Sequence, residues 1–455
     1  MGTVGLSFGS PTSGQGFDVT STVSQIVTNM QAVETPWKNQ LSALQSQDTA
    51  LSSIGSDLSS LSSALQSLTD FAGVLSEKQG SSSDTSVLQL TSASTSAIAG
   101  SHTITVQGLA TTSSYVSSTV SGSSDILTGS LTVNGQTINI DSTNNTLSSL
   151  AGAINSGSYG VIANVITDSS GSRLSLVSKT SGASGQISVS SSLVDSSNGS
   201  SAVSFTQTQA GTDAQLTVDG VSISSPSNTV TNAIQGVTFQ LLAPSSNGEQ
   251  VQVVITNSNS AVESAINSFV SAYNKVVQDL NTQEGKDASG NPEPLYGSPT
   301  LTSLQEALQS ALNFTQTSGA ITSLSQLGVT AGSDGTLSIN SDTLDSVLNT
   351  NYQDVVNFFQ PSGTFTSFGG NLTSVLNNLS SSSSNGAIRL ALQQNAAVEQ
   401  QLDQNISNEE TIISAKKTEL TAQLNEANYI LTSIPQQLQQ IDEIYSAITG
   451  YNQKQ

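Results

Sequence analysis

From residue 23 to residue 68 the chain alternates apolar and polar positions in steps of three and four. Val23, Ile26, Met30, Val33, Trp37, Gln40, Leu44, Gln47, Leu51, Ile54, Leu58, Leu61, Leu65 and Leu68 keep that spacing without a slip, and all but Gln40 and Gln47 are apolar. A stripe sustained over this length predicts a coiled-coil or bundle helix. Pro36 suits the first turn of a helix rather than its interior. With Thr35 as its N-cap, the stripe predicts two helices in succession, 19–34 and 36–74. The two glutamines in the seam cost stability and can fix register or partner number.

The other end carries the same pattern. Ile406, Glu410, Ile413, Lys417, Leu420, Leu424, Ala427, Leu431, Ile434, Leu438, Ile441, Tyr445 and Ile448 step by four and three, with Pro435 expected to interrupt them as Pro36 interrupts the first stripe. Neither stripe can stay bare in water, so the two bury each other or a partner. Antiparallel docking would bring the two termini together.

Between about 85 and 256 the period changes to two, in stretches such as "LTVNGQTINI", "RLSLV", "AQLTVDGVSI" and "VQVVI", which mark half-buried strands. Asn134-Gly135, Asp219-Gly220 and Asn247-Gly248 separate such runs and predict two-residue hairpin turns. A short helix is expected at 146–156. Helical pattern returns in "AVESAINSFVSAYNKVVQDL", then near 300–313, 341–349 and 352–359, with a hairpin at Asp334-Gly335 and a Ser-rich break at 380–386 before the last long helix. The order is helix, sheet, helix: an α+β multidomain chain whose long terminal helices form a stalk, with β-rich domains inserted in the middle.

Composition narrows what such a chain can do. Charged residues are 9% of it, against about 25% in ordinary globular domains. Net charge is −22, which repels phosphate backbones and sets nucleic acid aside. There are no cysteines, so disulfides, thiolate nucleophiles and zinc–sulfur sites are excluded. The single histidine, His102, cannot build a usual zinc site alone. Asp168, Asp219 and Asp334 stand beside Gly or Ser as turn residues and do not form a calcium ladder. No phosphate-cradling loop or nucleophile elbow is present, so no enzyme, cofactor or metal is expected. There is no apolar run long enough to span a membrane and no basic-plus-apolar leader in "MGTVGLSFGSPTSGQGFDV".

Several blocks resemble the bacterial flagellar filament cap proteins, the flagellar hook-associated protein 2 family. "SGQGFDVTSTVSQIVTNMQAVETPWKNQL" is similar to the family's opening, and "AGSHTITVQGLA" to one of its strands. Residues 131–182 resemble a module shared with flagellins. "AQLTVDGVSISSPSNTVTNAIQGVTFQLL", "INSFVSAYNKVV" and "LGVTAGSDGTLSINSDTLDSVLNTNYQDVVNFF" resemble later blocks, in family order.

The resemblance implies a layout. Residues 1–40 and 430–455 would be filament-inserting terminal helices, open to disorder in isolation. Residues 41–98 and 257–429 would form a helical stalk with a small hairpin. Residues 99–125 with 201–256 would form one β-rich domain, and 126–200 a second nested in it. It also implies a structural cap at the distal filament tip, outside the cell, that retains exported flagellin and promotes its folding and insertion. The partners implied are further copies in a ring of about four to six, flagellin, the filament tip and an export chaperone, with host glycans as a second role. Export would proceed without a cleavable signal. The contact residues expected on the two stripes are Val23, Ile26, Met30, Val33, Trp37, Leu44, Leu51, Leu420, Leu424, Leu431, Ile434, Leu438 and Ile441. Flagellin itself and a glycan-binding adhesin are the rival readings; glycan or mucin binding by residues 85–256 would favour the second.

Overall fold

The computed structural model describes residues 14–317, 319–360 and 366–450. The expected terminal segments at 1–13 and 451–455 lie outside the described residues. In chain order the α-helices are α1 (Val19–Gln31), α2 (Thr35–Thr69), α3 (Leu147–Ser156), α4 (Asn259–Gln283), α5 (Pro299–Leu312), α6 (Ser341–Thr350), α7 (Tyr352–Phe359), α8 (Phe368–Leu379) and α9 (Ala387–Thr449). The chain divides into two compact units, Met1–Thr69 with Ala265–Gln455, and Asp70–Ser264.

The first unit is helical. The opening stripe breaks into two helices as its proline requires, but at 32–34. Asp18 caps α1 by accepting the Ser21 N–H at 3.0 Å. The Glu34 carbonyl starts the α2 ladder by accepting the Lys38 N–H at 2.9 Å. Thr35 therefore lies inside α2 rather than capping it, and Pro36 occupies the first turn, where its missing N–H has no partner to lose. α2 stops at Thr69 instead of 74. Its second half buries Leu51, Ile54, Leu58, Leu61, Leu65 and Leu68. α9 runs through Pro435 without interruption, contrary to expectation. Proline costs the helix one hydrogen bond there. Its ring is covered by Gly14, where an added Cβ would come 3.0 Å from Pro435 Cγ.

The centre of this unit is aromatic. Phe358 stacks on Phe368 with ring centroids 4.9 Å apart. Phe269 and Phe359 meet Phe368 edge-on at 6.3 and 6.1 Å. All four are fully buried. Such pairs add about 0.5–1.5 kcal/mol each beyond area burial. α8 follows Ser367, whose hydroxyl accepts the Gly370 N–H at 3.0 Å and donates to the Phe359 carbonyl at 3.1 Å. Gly369 faces that same carbonyl, and any Cβ there would collide with it. The hairpin Val329–Ala331 with Leu337–Ile339 turns through 332–336, and Asn274 of α4 clamps it. Asn274 accepts the Leu337 N–H at 2.6 Å and donates to the Leu337 carbonyl at 2.8 Å.

The second unit holds two apolar cores. One lies between a five-stranded sheet, in spatial order 78–82, 251–257, 100–108, 214–218 and 221–225, and a three-stranded sheet of 229–234, 237–241 and 88–93. Residues 70–98, expected with the stalk, thus belong to this unit, pairing with 251–257 and 237–241. The other core spans 120–203. It gathers α3, a four-stranded sheet (205–209, 114–117, 171–178, 161–168) and two three-stranded sheets. Strands 114–117 and 205–209 join this nested core, so the nesting starts near the Thr111–Thr212 bridge rather than at 126.

Asn134-Gly135 and Asp219-Gly220 form the expected tight turns, with φ of 51° and 78°, and 50° and 82°. Asn247-Gly248 also has positive φ, but it joins 237–241 to 251–257, which pair with other strands and not with each other.

Leu61 is fully buried. Leu61→Ala is expected to lower the stability of the helical unit by about 2–5 kcal/mol, read as a lower denaturant midpoint of the helical circular-dichroism signal.

Candidate functional site

The surface that the sequence singles out is the pair of terminal helices, α1–α2 against α9. Contacts along it fix an antiparallel register. The Phe17 N–H donates to Asn428 Oδ1 at 2.8 Å. Lys38 Nζ bridges Glu34 Oε2 at 2.7 Å and Glu410 Oε1 at 3.4 Å. Asn395 Nδ2 donates to Asp48 Oδ1 at 2.6 Å. Gly55 faces Ile388, with a Cβ there 3.6 Å from Ile388 Cγ2. Numbers rise on one side as they fall on the other.

Burial is graded along this pair. Val23 and Leu51 are buried. Ile26, Met30, Trp37, Leu44, Leu420, Leu424, Leu431 and Ile434 are half-buried. Val33, Leu438 and Ile441 are exposed, Val33 because it falls in the three-residue break. Beyond Leu438 the α9 stripe emerges into solvent, with Ile444, Tyr445 and Ile448 exposed as well, Ile448 by 78%. Apolar positions this open at the end of a long helix contribute little to the stability of the single chain.

The seam also runs further upstream on α9 than the apolar pattern suggested. Ile388, Leu392, Asn395, Glu399, Leu402 and Ile406 continue the four-three steps. Its two polar members hid it in the sequence. Asn395 has a partner in Asp48, but Glu399 Oε1 is buried without one. Loss of water contact raises the Glu399 carboxyl above its ordinary range, and Asp48 and Asp403 push it the same way. Glu34 is more extreme, with its side chain 1% exposed and Oε1 unpartnered beside its ion pair to Lys38. The Glu34 hydrogen bond, with a smaller contribution from Glu410, holds the Lys38 ammonium above its usual range. An exposed pair such as Lys38–Glu410 is screened by solvent and contributes little, so it orients the helices more than it binds them.

Elsewhere, the single histidine acquires a partner that sequence reading missed. His102 Nδ1 lies 2.7 Å from Asp219 Oδ2, and Asp219 Oδ1 accepts the Thr103 N–H at 2.8 Å. The His102 hydrogen bond, then that from Thr103, holds the Asp219 carboxyl below its usual range. Asp168 and Asp334 do turn work, accepting the Ser170 and Thr336 N–H groups. Among the described residues no group of three or more His, Cys, Asp or Glu is placed to hold a metal ion, and no helix is long and apolar enough to cross a membrane.

Two family models match this chain: "Flagellar hook-associated protein 2 N-terminus" over residues 15–113 and "Flagellar hook-associated protein 2 C-terminus" over residues 211–436. Together they take in the opening stripe, the closing stripe as far as residue 436, and the first β core. The chain belongs to the flagellar hook-associated protein 2 family. The residues between the two matches, 114–210, correspond to the nested core.

Among relatives, the B-type flagellar hook-associated protein 2 of Pseudomonas aeruginosa is 31% identical over 299 residues, 59% of this chain. That match spans 63% of the relative, less than two thirds of its length. The flagellar hook-associated protein 2 of Escherichia coli K12 is 28% identical over 80% of this chain and 83% of its own. The crystal structure of the flagellar cap protein D1-D2-D3 domains from Escherichia coli superposes with a TM-score of 0.58 at 28% identity, covering 76% of this chain and 99% of that one. The family fold, with a helical unit interrupted by β domains, is thus present in this chain.

The Glu399 shift has a sign that can be tested. A carboxyl with a raised folded-state pKa binds its proton more tightly when folded. The seam then loses stability as pH rises from the ordinary 4.5 through the folded value. Glu399→Gln is expected to raise the thermal midpoint at neutral pH and to flatten its decline between mildly acid and neutral pH, checked by melting both chains across that range.

Proposed function

We propose that this chain is a structural cap at the distal tip of the flagellar filament, outside the cell. It acts mechanically, without catalysis or cofactor. The observation that carries the reading is the graded seam of α1–α2 and α9. Its inner part is closed by the chain's own helices, and its outer end presents Leu438, Ile441, Ile444, Tyr445 and Ile448 to solvent. A helix end of that kind can occupy a groove left open between subunits at the tip of a helical polymer, where its apolar stripe would be covered.

In this reading several copies form a ring, and their β units form a plate over the channel mouth. The plate keeps newly exported flagellin from escaping and shelters it while it folds. Each subunit that inserts displaces one set of terminal helices, and the cap advances. The α1–α2 side suits that task because it carries few charges. Contacts made by Ser, Gln and aliphatic residues are weak individually and insensitive to salt, so they can be exchanged repeatedly. The chain would reach this place through the flagellar export channel, held unfolded by a chaperone.

The test is a strain lacking the chain, with flagellin assayed in the medium. It is expected to bear no filaments and to shed soluble, unassembled flagellin, with rescue by the full gene. Ile441→Asp/Ile448→Asp is expected to fail at rescue while its purified chain keeps its stability to within about 0.5 kcal/mol. Normal filaments without the chain would overturn the cap reading. Loss of filaments with no shed flagellin would indicate a filament or junction subunit instead.

A further inference from the structure

Asn-Gly pairs stand at 134–135, 198–199, 247–248 and 385–386. Such a pair carries a chemistry of its own. The backbone nitrogen of the glycine can attack the carboxamide carbon of the asparagine, because glycine has no side chain to hinder the approach. Ammonia leaves and a succinimide ring remains. Water opens that ring at either carbonyl, giving aspartate or isoaspartate. Amide and water are consumed, acid and ammonia appear, and no enzyme or cofactor is needed. In a folded chain the reaction runs only where the carboxamide can turn toward the next nitrogen and the loop can bend to meet it.

The pairs at 198, 247 and 385 all follow a serine, so local sequence hardly separates them. Their surroundings do. Asn134 is held at both ends of its carboxamide: Oδ1 accepts the Ser188 N–H at 3.1 Å and Nδ2 donates to the Tyr159 carbonyl at 2.9 Å. Asn198 is held at one end, its Nδ2 donating to Ser121 Oγ at 3.0 Å. At 385–386 it is the attacking nitrogen that is tied down. Gly386 is buried, its N–H donates to the Ser383 carbonyl at 3.1 Å, and an added Cβ would collide with the Ser380 carbonyl.

Asn247 has none of these restraints. Its backbone has nearly the same left-handed φ as Asn134, 52° against 51°, yet its carboxamide makes no hydrogen bond among the described residues. Asn247 and Gly248 are both exposed, and a Cβ on Gly248 would meet nothing within 4 Å. The turn joins 237–241 to 251–257, which do not pair with each other, so no strand ladder holds it closed.

We propose that Asn247 is a self-modification site, converted through a succinimide to aspartate and isoaspartate ahead of the other three pairs. The deprotonated Gly248 nitrogen bonds to Asn247 Cγ, and the Cγ–Nδ2 bond breaks as Nδ2 leaves in ammonia. Hydrolysis then leaves a carboxylate, adding one negative charge two residues from Glu249. The isoaspartate product also routes the backbone through Cγ, lengthening the turn by one carbon. Ser245, two residues before Asn247, donates its N–H to the Val106 carbonyl at 2.8 Å and accepts the Val106 N–H on its hydroxyl at 3.0 Å. The new charge therefore lands where this loop is fastened to the five-stranded sheet. The last long helix is spared, because the pair that leads into α9 is the one whose nitrogen is locked.

The full chain is held at physiological temperature and mildly alkaline pH and mapped over time by mass spectrometry, with fragmentation that separates aspartate from isoaspartate. Asn247 is expected to exchange its amide for an acid first, with isoaspartate in excess. Its rate is expected to exceed that of Asn134 or Asn385 by about tenfold or more, since their restraining hydrogen bonds must break before reaction. Asn198 is expected between them. In denaturant the three Ser-Asn-Gly pairs are expected to react at similar rates. Equal rates in the folded chain, or another pair ahead of Asn247, would overturn the site. The same lead for Asn247 in denaturant would put the cause in local sequence rather than in the fold, and would overturn it too. Aspartate without isoaspartate would mean direct hydrolysis and would overturn the ring-closing route.

Discussion

The structure depends on one constraint: two apolar stripes more than 300 residues apart in sequence must cover each other. α2 carries a seam of leucines with almost no charged neighbours, and α9 carries its counterpart. Neither is stable in water as a lone helix, because helical stability in proteins comes mainly from burying the striped face. Leucine faces specify proximity but not register. Register comes from a few polar points, namely Phe17 with Asn428, Lys38 with Glu410, and Asp48 with Asn395. Each is weak alone. Spaced along the pair, they oppose slippage by a heptad, since a slip of seven would set Asp48 against Ile388 or Leu402 in place of Asn395.

What lies between the stripes obeys a different logic. The inserted unit has few charges and short strands, and it relies on backbone geometry to fix its hairpins. Asn and Asp followed by Gly supply the positive φ angles at 134–135 and 219–220, where a residue with a branched Cβ would be strained. Its second core is nested in the first through the Thr111–Thr212 bridge. That nested piece is what separates the two stretches shared across the family, so the joint in sequence coincides with a joint between cores.

Periodicity made the ends and the alternating strands readable, and the Asn-Gly and Asp-Gly pairs located two of the hairpins. That Val23 and Leu51 would be buried was legible in the same way, since both are apolar at regular steps. The failures have physical causes. α8 was hidden because Gly369-Gly370 and its asparagines dilute a helical pattern whose Phe368, Leu372, Leu376 and Leu379 are all buried. The upstream seam of α9 was hidden because Asn395 and Glu399 occupy core steps. The break before Pro36 fell at 32–34 because the Glu34 carbonyl was free to begin the ladder. The partnership of His102 with Asp219 joins positions 117 apart, which no local spacing reveals. Which stripe positions close within the chain and which stay open depended on where α1 ends against α9, a tertiary fact.

The place where the insertion begins and ends bears on how quickly the chain can find its fold. Strands 78–82 and 251–257 are antiparallel neighbours, and the Ser258 N–H donates to the Glu77 carbonyl at 3.0 Å. All the strands of that unit lie between α2 and α9 in sequence. Once the β strands pair, residues 77 and 258 are pinned together. The loop that α2 and α9 must close shrinks from over 300 flexible residues to the stretch outside the insertion, lowering the entropic barrier to the last step.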